Sequence, residues 1–243
     1  MTTTATSAPA TDVVRWHEPE GIAPRGTLVV LPGRGETAAV YRRFATRLSA
    51  DAYRVAVLEP GNRDVTEQVR DLAADPWAVT PLVLVGSDSG ALTALATATA
   101  LAGSVDAVIV AGVPVGTDTP TGDWDAELEI RTGCPTHQKV LRASARGGIG
   151  SGIDALDAAA LTPALPQVPV LAIHGNTDRI SPLDAALAFY RRIPNVTIKT
   201  VEDGRHDALN DATHRSVAAT VVLFLERLRL DASLEPIVLD VED

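Results

Sequence analysis

Three acid–base side chains directly follow predicted β-strands, and they carry the chemistry that this sequence offers. Asp88 lies at the centre of the segment G-S-D-S-G, which comes after a run of Val and Leu. Asp178 ends the segment H-G-N-T-D, and His206 ends the segment E-D-G-R-H. Carboxylates and histidine transfer protons, and an activated carboxylate also attacks carbon. Their positions at strand ends predict one shared site containing Asp88, Asp178 and His206.

The residues around Asp88 have the composition of a sharp turn between a buried strand and a buried helix. Residues 81–85 read P-L-V-L-V, and residues 91–102 consist of Ala, Leu and Thr. Gly86 and Gly90 stand two residues to either side of Asp88, as a turn requires when strand and helix backbones pack closely. A simpler explanation stays open, namely that Asp is present because it tolerates a left-handed backbone.

Strands and helices alternate along the chain. Apolar runs predict strands at residues 27–31, 53–58, 105–110, 168–173 and 196–201, and residues 12–18 predict an edge strand or hairpin. Apolar stripes at helical spacing lie between these runs. The pattern predicts an α/β fold with a mostly parallel sheet covered by helices on both faces. Ligands of such sheets bind outside the carboxyl ends of the strands.

Residues 116–167 break this alternation, because they contain no strand pattern. Three short helical patterns occur there, around residues 126–131, 137–146 and 153–161. Connections this long are uncommon unless they cover a site, so we expect a helical lid over the carboxyl ends of the strands. We expect residues 1–243 to form one domain, with a disordered leader at 1–11 and an acidic tail at 231–243.

The elbow segment and the order of the three residues resemble the α/β-hydrolase superfamily, whose members read Gly-x-nucleophile-x-Gly and then supply an acid and a histidine. The resemblance covers roughly residues 25–228 and includes the Pro-Gly-Arg loop that ends at Arg34. It implies the α/β-hydrolase fold and a catalytic triad of Asp88, His206 and Asp178. It also implies an oxyanion hole made by the backbone N–H groups of Arg34 and Ser89.

Most members of the superfamily carry Ser at the elbow, whereas epoxide hydrolases and haloalkane or haloacid dehalogenases carry Asp. In those enzymes the carboxylate forms an alkyl ester that histidine-activated water hydrolyses. Here residues 116–167 contain no Tyr to polarise an epoxide, and Ser89 stands where haloalkane dehalogenases usually have Trp. We therefore expect hydrolysis of a small organic substrate, with Asp88 as nucleophile or general base and the bond type open.

Two alternatives remain open from the sequence. The first is a non-hydrolytic lyase or cyclase on the same fold, in which Asp88 is a general base. The second is a binding protein without turnover, in which arginines recognise an acidic small molecule; the candidates are Arg34, Arg131, Arg142 and Arg146.

The composition of the chain limits the classes of partner and cofactor that we expect. A net charge of −10 and a pI near 4.9 without a basic cluster argue against nucleic acid. Cys134 is the only cysteine, and no His, Cys or carboxylate cluster has ligand spacing, so we expect no disulfide, metal or cofactor. No signal-like start or membrane-length apolar run occurs, so we expect a cytoplasmic protein whose oligomeric state is open. His174 is expected to be structural, and the other histidines, at 17, 137 and 214, to lie at the surface or in the lid.

Overall fold

The computed structural model describes residues 13–59, 61, 63–115, 124–144, 163–239 and 241. Within these ranges seven strands and seven helices occur. The strands are β1 (Val13–Trp16), β2 (Gly26–Leu31), β3 (Tyr53–Leu58), β4 (Leu82–Ser87), β5 (Ala107–Ala111), β6 (Val170–Gly175) and β7 (Val196–Val201). The helices are α1 (Ala38–Ala50), α2 (Val65–Ala74), α3 (Ser89–Ala100), α4 (Trp124–Arg131), α5 (Pro135–Ser144), α6 (Leu183–Tyr190) and α7 (His214–Leu230).

All seven strands form one sheet in the order β1-β3-β2-β4-β5-β6-β7. Strands β2 to β7 are parallel to their neighbours, and β1 pairs antiparallel with β3 at one edge. The predicted α/β architecture with a mostly parallel sheet is therefore confirmed. The expected leader at residues 1–11 and the helical pattern at 153–161 lie outside the described residues.

The two faces of the sheet are both apolar, because successive strand residues point to opposite sides. Leu28 and Val30 of β2 belong to the core cluster that includes helices α1 and α7, whereas Val29 and Leu31 join the cluster with α2, α3 and α6. All four side chains are buried. This two-sided burial explains why the central strands read as continuous aliphatic runs instead of alternating ones.

Several element bounds differ from the sequence-based prediction by a few residues. The strand expected at residues 105–110 begins later, at Ala107, and the Asp106 carboxylate just before it accepts a 2.6 Å hydrogen bond from the backbone N–H of Leu82. Ser181 is a residue type that often caps helices and stands just before Pro182 and α6, but it does not cap that helix. Its hydroxyl instead accepts a 3.1 Å hydrogen bond from the N–H of Val115.

Helices α4 and α5 lie within the expected lid, and they also belong to the main core. Leu128 of α4 and Leu141 of α5 are fully buried in the same cluster as Phe44 and Leu48 of α1. This packing fixes the end of α4, where Arg131 is located. Residues 116–123 and 145–162 of the expected lid are outside the described ranges, so the extent of the lid stays a prediction.

The turn from β4 to α3 places three backbone segments in close contact. A Cβ atom added to Gly90 would lie 2.1 Å from the carbonyl oxygen of Leu31, and one added to Gly86 would lie 2.2 Å from the carbonyl oxygen of Gly90. Both distances are far inside van der Waals contact. The two glycines are therefore required because α3 packs directly on the ends of β2 and β4.

We expect Gly90→Ala to destabilise the protein by about 1–3 kcal/mol, since the new methyl group forces a shift of the Leu31 backbone. Helix propensity alone predicts the opposite sign, a gain of up to about 1 kcal/mol. The matched control is Ala96→Gly at an exposed position of the same helix, which measures the propensity effect. Urea unfolding gives both values, and a Gly90→Ala protein at least as stable as wild type would contradict the packing argument.

Candidate active site

Asp88 lies at the turn between β4 and α3, in a backbone conformation that residues other than glycine rarely adopt. Its φ is 50° and its ψ is −128°, and its N–H donates a 3.1 Å hydrogen bond to the carbonyl of Ala111. Backbone strain of this kind is retained where surrounding structure imposes it, often at functional sites. The Asp88 side chain is fully buried at the carboxyl end of the central strand.

The three acid–base residues that the sequence predicts are in contact with one another. His206 Nδ1 lies 2.8 Å from Asp178 Oδ2, and His206 Nε2 lies 3.2 Å from Asp88 Oδ1. None of the three side chains is exposed to solvent. The imidazole of His206, a residue that follows β7, thus bridges two carboxylates that follow β4 and β6.

Asp178 uses its two carboxylate oxygens for different purposes. Oδ1 accepts hydrogen bonds from the N–H groups of Ile180 and Ser181, at 2.8 and 2.9 Å, and so holds its own loop. Oδ2 faces His206 and, at 3.2 Å, Nε2 of His174. The ordinary role of a loop-capping aspartate and the role of a histidine partner are therefore both present in this residue.

The carboxylate of Asp88 accepts four hydrogen bonds, and three of them come from Arg34. The Arg34 side chain donates from Nη2 to Oδ1 and from Nε to Oδ2, both at 2.7 Å. Its backbone N–H donates to Oδ2 at 3.0 Å. The fourth partner is His206 Nε2 on Oδ1. The Arg34 backbone N–H is one of the two predicted oxyanion donors. The other predicted donor is the backbone N–H of Ser89, the first residue of α3.

Arg131, at the end of α4, places a second guanidinium beside Asp88. Its side chain is completely buried, and its nitrogens lie 3.7 Å from Asp88, 3.7 Å from Asp207 and 3.8 Å from Glu127. Among the described residues none of these nitrogens has a hydrogen-bond partner. Arg131 therefore acts as a buried positive charge between carboxylates. No pattern in the sequence around the end of α4 indicates this role.

A buried polar network extends from Arg131 to the β2–α1 loop, which carries Gly33 and Arg34, and to α5. Asp207 lies 3.0 Å from Nε2 of His137, which belongs to α5 in the expected lid and is buried there. Glu36 accepts hydrogen bonds from Tyr41 and from the N–H of Gly33. Burial and the nearby charge of Asp207 raise the pKa of Glu36. These partners hold the loop that carries Arg34.

The remaining histidines have separate surroundings. His174 is buried between the hydroxyl of Tyr190, at 3.1 Å, and the carbonyl of Ser181, at 2.8 Å, and burial lowers its pKa. These contacts are those of a structural histidine. His17 is exposed against the Trp77 ring, and His214 is partly exposed at the start of α7.

The cluster shifts the pKa values of Asp88 and His206. Burial by itself raises the pKa of Asp88, but hydrogen bonds from His206 and Arg34 and the charge of Arg131 hold it well below its usual value. Burial by itself lowers the pKa of His206, but the charge of Asp178 and hydrogen bonds to both carboxylates raise it to about 10. The site at neutral pH therefore contains an aspartate anion and an imidazolium cation.

A cavity of about 330 Å³ adjoins the elbow on the side of α2 and α3. Gly33, Gly90 and Thr93 line it, together with Glu59 and Gln68. Among the described residues Glu59 Oε2 and Gln68 Oε1 are buried acceptors without a hydrogen-bond partner. Most of the lining residues are apolar or glycine, and Gly33 and Gly90 bring the cavity next to the turn that carries Asp88.

Two kinds of feature are absent from the part of the chain that the structure describes. No three His, Cys, Asp or Glu side chains in it converge as a metal site. No helix in it combines the length and the apolar character needed to cross a bilayer.

We expect His206 to stay protonated up to about pH 10, and its pKa to fall in Asp88→Asn, because the substitution removes one of its two carboxylate partners. Since the folded-state pKa is raised, this interaction stabilises the fold fully below about pH 6.5 and is lost as the pH rises to about 10. NMR titration of the imidazole measures the pKa, with His214 as the internal control. A wild-type pKa near 6.5 would contradict the ion cluster.

We expect Arg131→Met to lower the free energy of unfolding at pH 7 by about 3–5 kcal/mol, because it leaves buried carboxylates without their cation. The pKa values of Asp88 and Asp207 are lowered, so the loss is present above about pH 4 and shrinks as the carboxylates become protonated at lower pH. The control Arg142→Met removes an exposed ion pair and should change stability little. Urea unfolding at several pH values provides the measurement; equal losses in the two variants would contradict the prediction.

Comparison with known proteins gives similarity of fold without similarity of sequence. No family model and no curated protein sequence matches the chain. Its structure is similar to a soluble variant of monoglyceride lipase from Saccharomyces cerevisiae, with a TM-score of 0.68 and 16% identity over 89% of this chain and 91% of that one. A lipase-esterase related protein from Clostridium acetobutylicum has a TM-score of 0.67 and 15% identity, over 87% and 98% of the two chains.

An esterase from Exiguobacterium antarcticum is similar in the same way, with a TM-score of 0.63 and 18% identity over 88% of this chain and 94% of the esterase. At such low identities the likeness establishes the fold and leaves the reaction to the chemistry of the site. The parallel sheet, the elbow between β4 and α3 and these structural neighbours agree, and the chain has the α/β-hydrolase fold.

Proposed function

We propose that this protein is a hydrolase that acts on a small organic substrate through Asp88, His206 and Asp178. The observation that supports the proposal is the chain of short contacts from the Asp88 carboxylate through the His206 imidazole to the Asp178 carboxylate. A nucleophile or base, a histidine and an orienting acid form the arrangement that covalent hydrolases use.

The charge state of Asp88 favours nucleophilic attack over general-base catalysis. A general base works best when its pKa lies near the working pH. The pKa of Asp88 is held well below its ordinary value by His206, Arg34 and Arg131, so Asp88 is ionised but a weak base. A carboxylate attacks saturated carbon more productively than carbonyl carbon, where it would form an anhydride. We therefore infer a substrate with a leaving group on saturated carbon.

In the first step an Asp88 oxygen forms a bond to the substrate carbon, and the bond to the leaving group breaks, with its electron pair going to the leaving group. Asp88 becomes an uncharged ester and no longer stabilises the imidazolium of His206. The pKa of His206 falls, and its proton passes to the leaving group or to solvent. Neutral His206 is then ready to act as a base.

In the second step His206 takes a proton from a water molecule whose oxygen attacks Cγ of the ester. The backbone N–H groups of Arg34 and Ser89 are the proposed donors to the resulting oxyanion. The Cγ–O bond to the product then breaks, and the product alcohol receives the proton from His206. The Asp88 carboxylic acid returns its own proton to His206, which restores the starting state. The sum converts substrate and water into an alcohol and the protonated leaving group.

The body of the substrate is proposed to occupy the cavity beside the elbow. Its volume of about 330 Å³ suits a small organic molecule.

We expect a single turnover in ¹⁸O-labelled water to place the label in the Asp88 carboxylate, because water attacks Cγ of the ester. A substrate for the experiment is identified from a panel of haloalkanes and halocarboxylates, followed by proton release, and of epoxides, followed by diol formation. Mass spectrometry of the peptide that contains Asp88 then reports the label. Labelled product beside an unlabelled Asp88 would show direct attack by water and exclude the covalent mechanism.

We expect Asp88→Asn to reduce turnover by at least about a thousandfold while the fold is retained, because the change is nearly isosteric but removes the nucleophile. Asp184→Asn, at an exposed position of α6, is the matched control and should keep full activity. Intact mass must show that the introduced amide has not deamidated. Full activity in an undeamidated variant would remove Asp88 from the mechanism, and a wild-type protein that binds but never converts ligands would favour the binding-protein alternative.

A further inference from the structure

We propose that the Arg34 side chain is a clamp on Asp88 that an anionic substrate releases, so that the site selects small organic carboxylates. The clamp is defined as the two side-chain hydrogen bonds from Arg34 Nε and Nη2 to the Asp88 carboxylate, both 2.7 Å long. The proposal deepens the proposed hydrolase function and rests on it. It concerns which molecules reach the nucleophile.

Asp88 has no free lone pair while the clamp is closed. A carboxylate accepts about four hydrogen bonds, two on each oxygen. Oδ1 is occupied by Arg34 Nη2 and His206 Nε2, and Oδ2 by Arg34 Nε and the Arg34 backbone N–H. Attack on carbon requires one of these donors to leave.

The Arg34 side chain is the donor that is free to leave. His206 is fixed by a second hydrogen bond, in which its Nδ1 lies 2.8 Å from Asp178 Oδ2. The Arg34 backbone N–H is fixed in a loop whose Gly33 N–H is bonded to Glu36 and Tyr41. The Arg34 side chain, in contrast, still contacts solvent, with 12% of its surface exposed, and a long side chain moves by rotamer changes alone.

Charge determines which substrates can open the clamp. A neutral substrate that displaces the guanidinium leaves two opposite charges separated, one of them in a buried site, and offers Arg34 nothing in return. A substrate carboxylate supplies a new planar partner for both prongs of the guanidinium. The free energy lost when the Arg34–Asp88 ion pair breaks is therefore offset only by an anionic substrate.

Arg131 complements this exchange without taking part in it. Its guanidinium is completely buried, so an incoming substrate does not reach it. It lies 3.7 Å from Asp88 Oδ2 and stays there when Arg34 turns away. Asp88 therefore keeps a cationic neighbour while it is free to attack, and the two arginines divide charge stabilisation and substrate binding between them.

The test compares 2-bromopropionate with 2-bromopropionamide, which have similar size and the same leaving group but differ in charge. Bromide release is measured for the wild-type residue, Arg34→Gln and Arg42→Gln, all in a Cys134→Ser background that removes the only thiol. Arg34→Gln keeps the backbone N–H. Arg42→Gln, on the exposed side of α1, is the matched control.

With Arg34 present we expect bromide release from the acid to be at least about tenfold faster than from the amide, the scale of a charged hydrogen-bonded pair. In Arg34→Gln the rate with the acid falls and the rate with the amide rises, so that their ratio approaches one. Arg42→Gln keeps the original ratio. A ratio near one with Arg34 present, or an unchanged ratio in Arg34→Gln, overturns the clamp.

The same samples separate failure of the clamp from failure of the proposed function. If Asp88 acquires ¹⁸O with both reagents but Arg34 does not affect their ratio, only the clamp is wrong. If Asp88 is never labelled, the covalent mechanism is wrong, and the clamp is then judged by binding. NMR titration should show propionate binding at least about tenfold more tightly than propionamide, with the difference lost in Arg34→Gln. Equal binding of the two, or no binding of propionate, contradicts the clamp.

Discussion

Compensation of one buried negative charge holds the site and its surroundings together. Asp88 is fully inaccessible to solvent, and an isolated carboxylate in such a place would be prohibitively unfavourable. Arg34, Arg131 and His206 supply three positive charges around it, from the β2–α1 loop, the end of α4 and the β7–α7 loop. The site thereby ties together parts of the chain that are far apart in sequence. Stability and chemistry consequently share the same contacts, and a change to any of these residues affects both.

The positions of these charges follow from close backbone packing at the carboxyl edge of the sheet. The elbow lies against the end of β2, and the Asp178 loop lies against the His206 loop, where a Cβ atom on Gly175 would be 2.2 Å from the carbonyl oxygen of Gly204. Glycines at these crossings allow the loops to approach until side chains meet at hydrogen-bond distance. The resting arrangement holds Asp88 as an ionised group whose lone pairs are all occupied. In the proposed mechanism, this arrangement favours anionic substrates over neutral ones.

Much of the fold was predictable because its signals are local. β3 and β7 begin and end at the predicted residues, since their apolar β-branched runs are bounded by turn residues. The elbow was recognisable from Gly86 and Gly90 around one polar residue. Burial of His137 and the contacts of Arg131 were not predictable. Both belong to a stretch with ordinary amphipathic helix composition, and their burial follows from the packing of α5 on α1 and of α4 on α5.

The order of residues along the chain was enough to specify the alternation of strands and helices, the elbow and the succession of Asp88, Asp178 and His206, because each depends on neighbours within a few residues. Only the folded arrangement shows that Arg34 closes over Asp88, that Arg131 is a buried counter-ion and that Asp178 divides its oxygens between its own loop and His206. The physical reason is that the energy of a charge in a protein depends on which other charges surround it and how deeply it is buried. Neither quantity exists until distant segments have packed together.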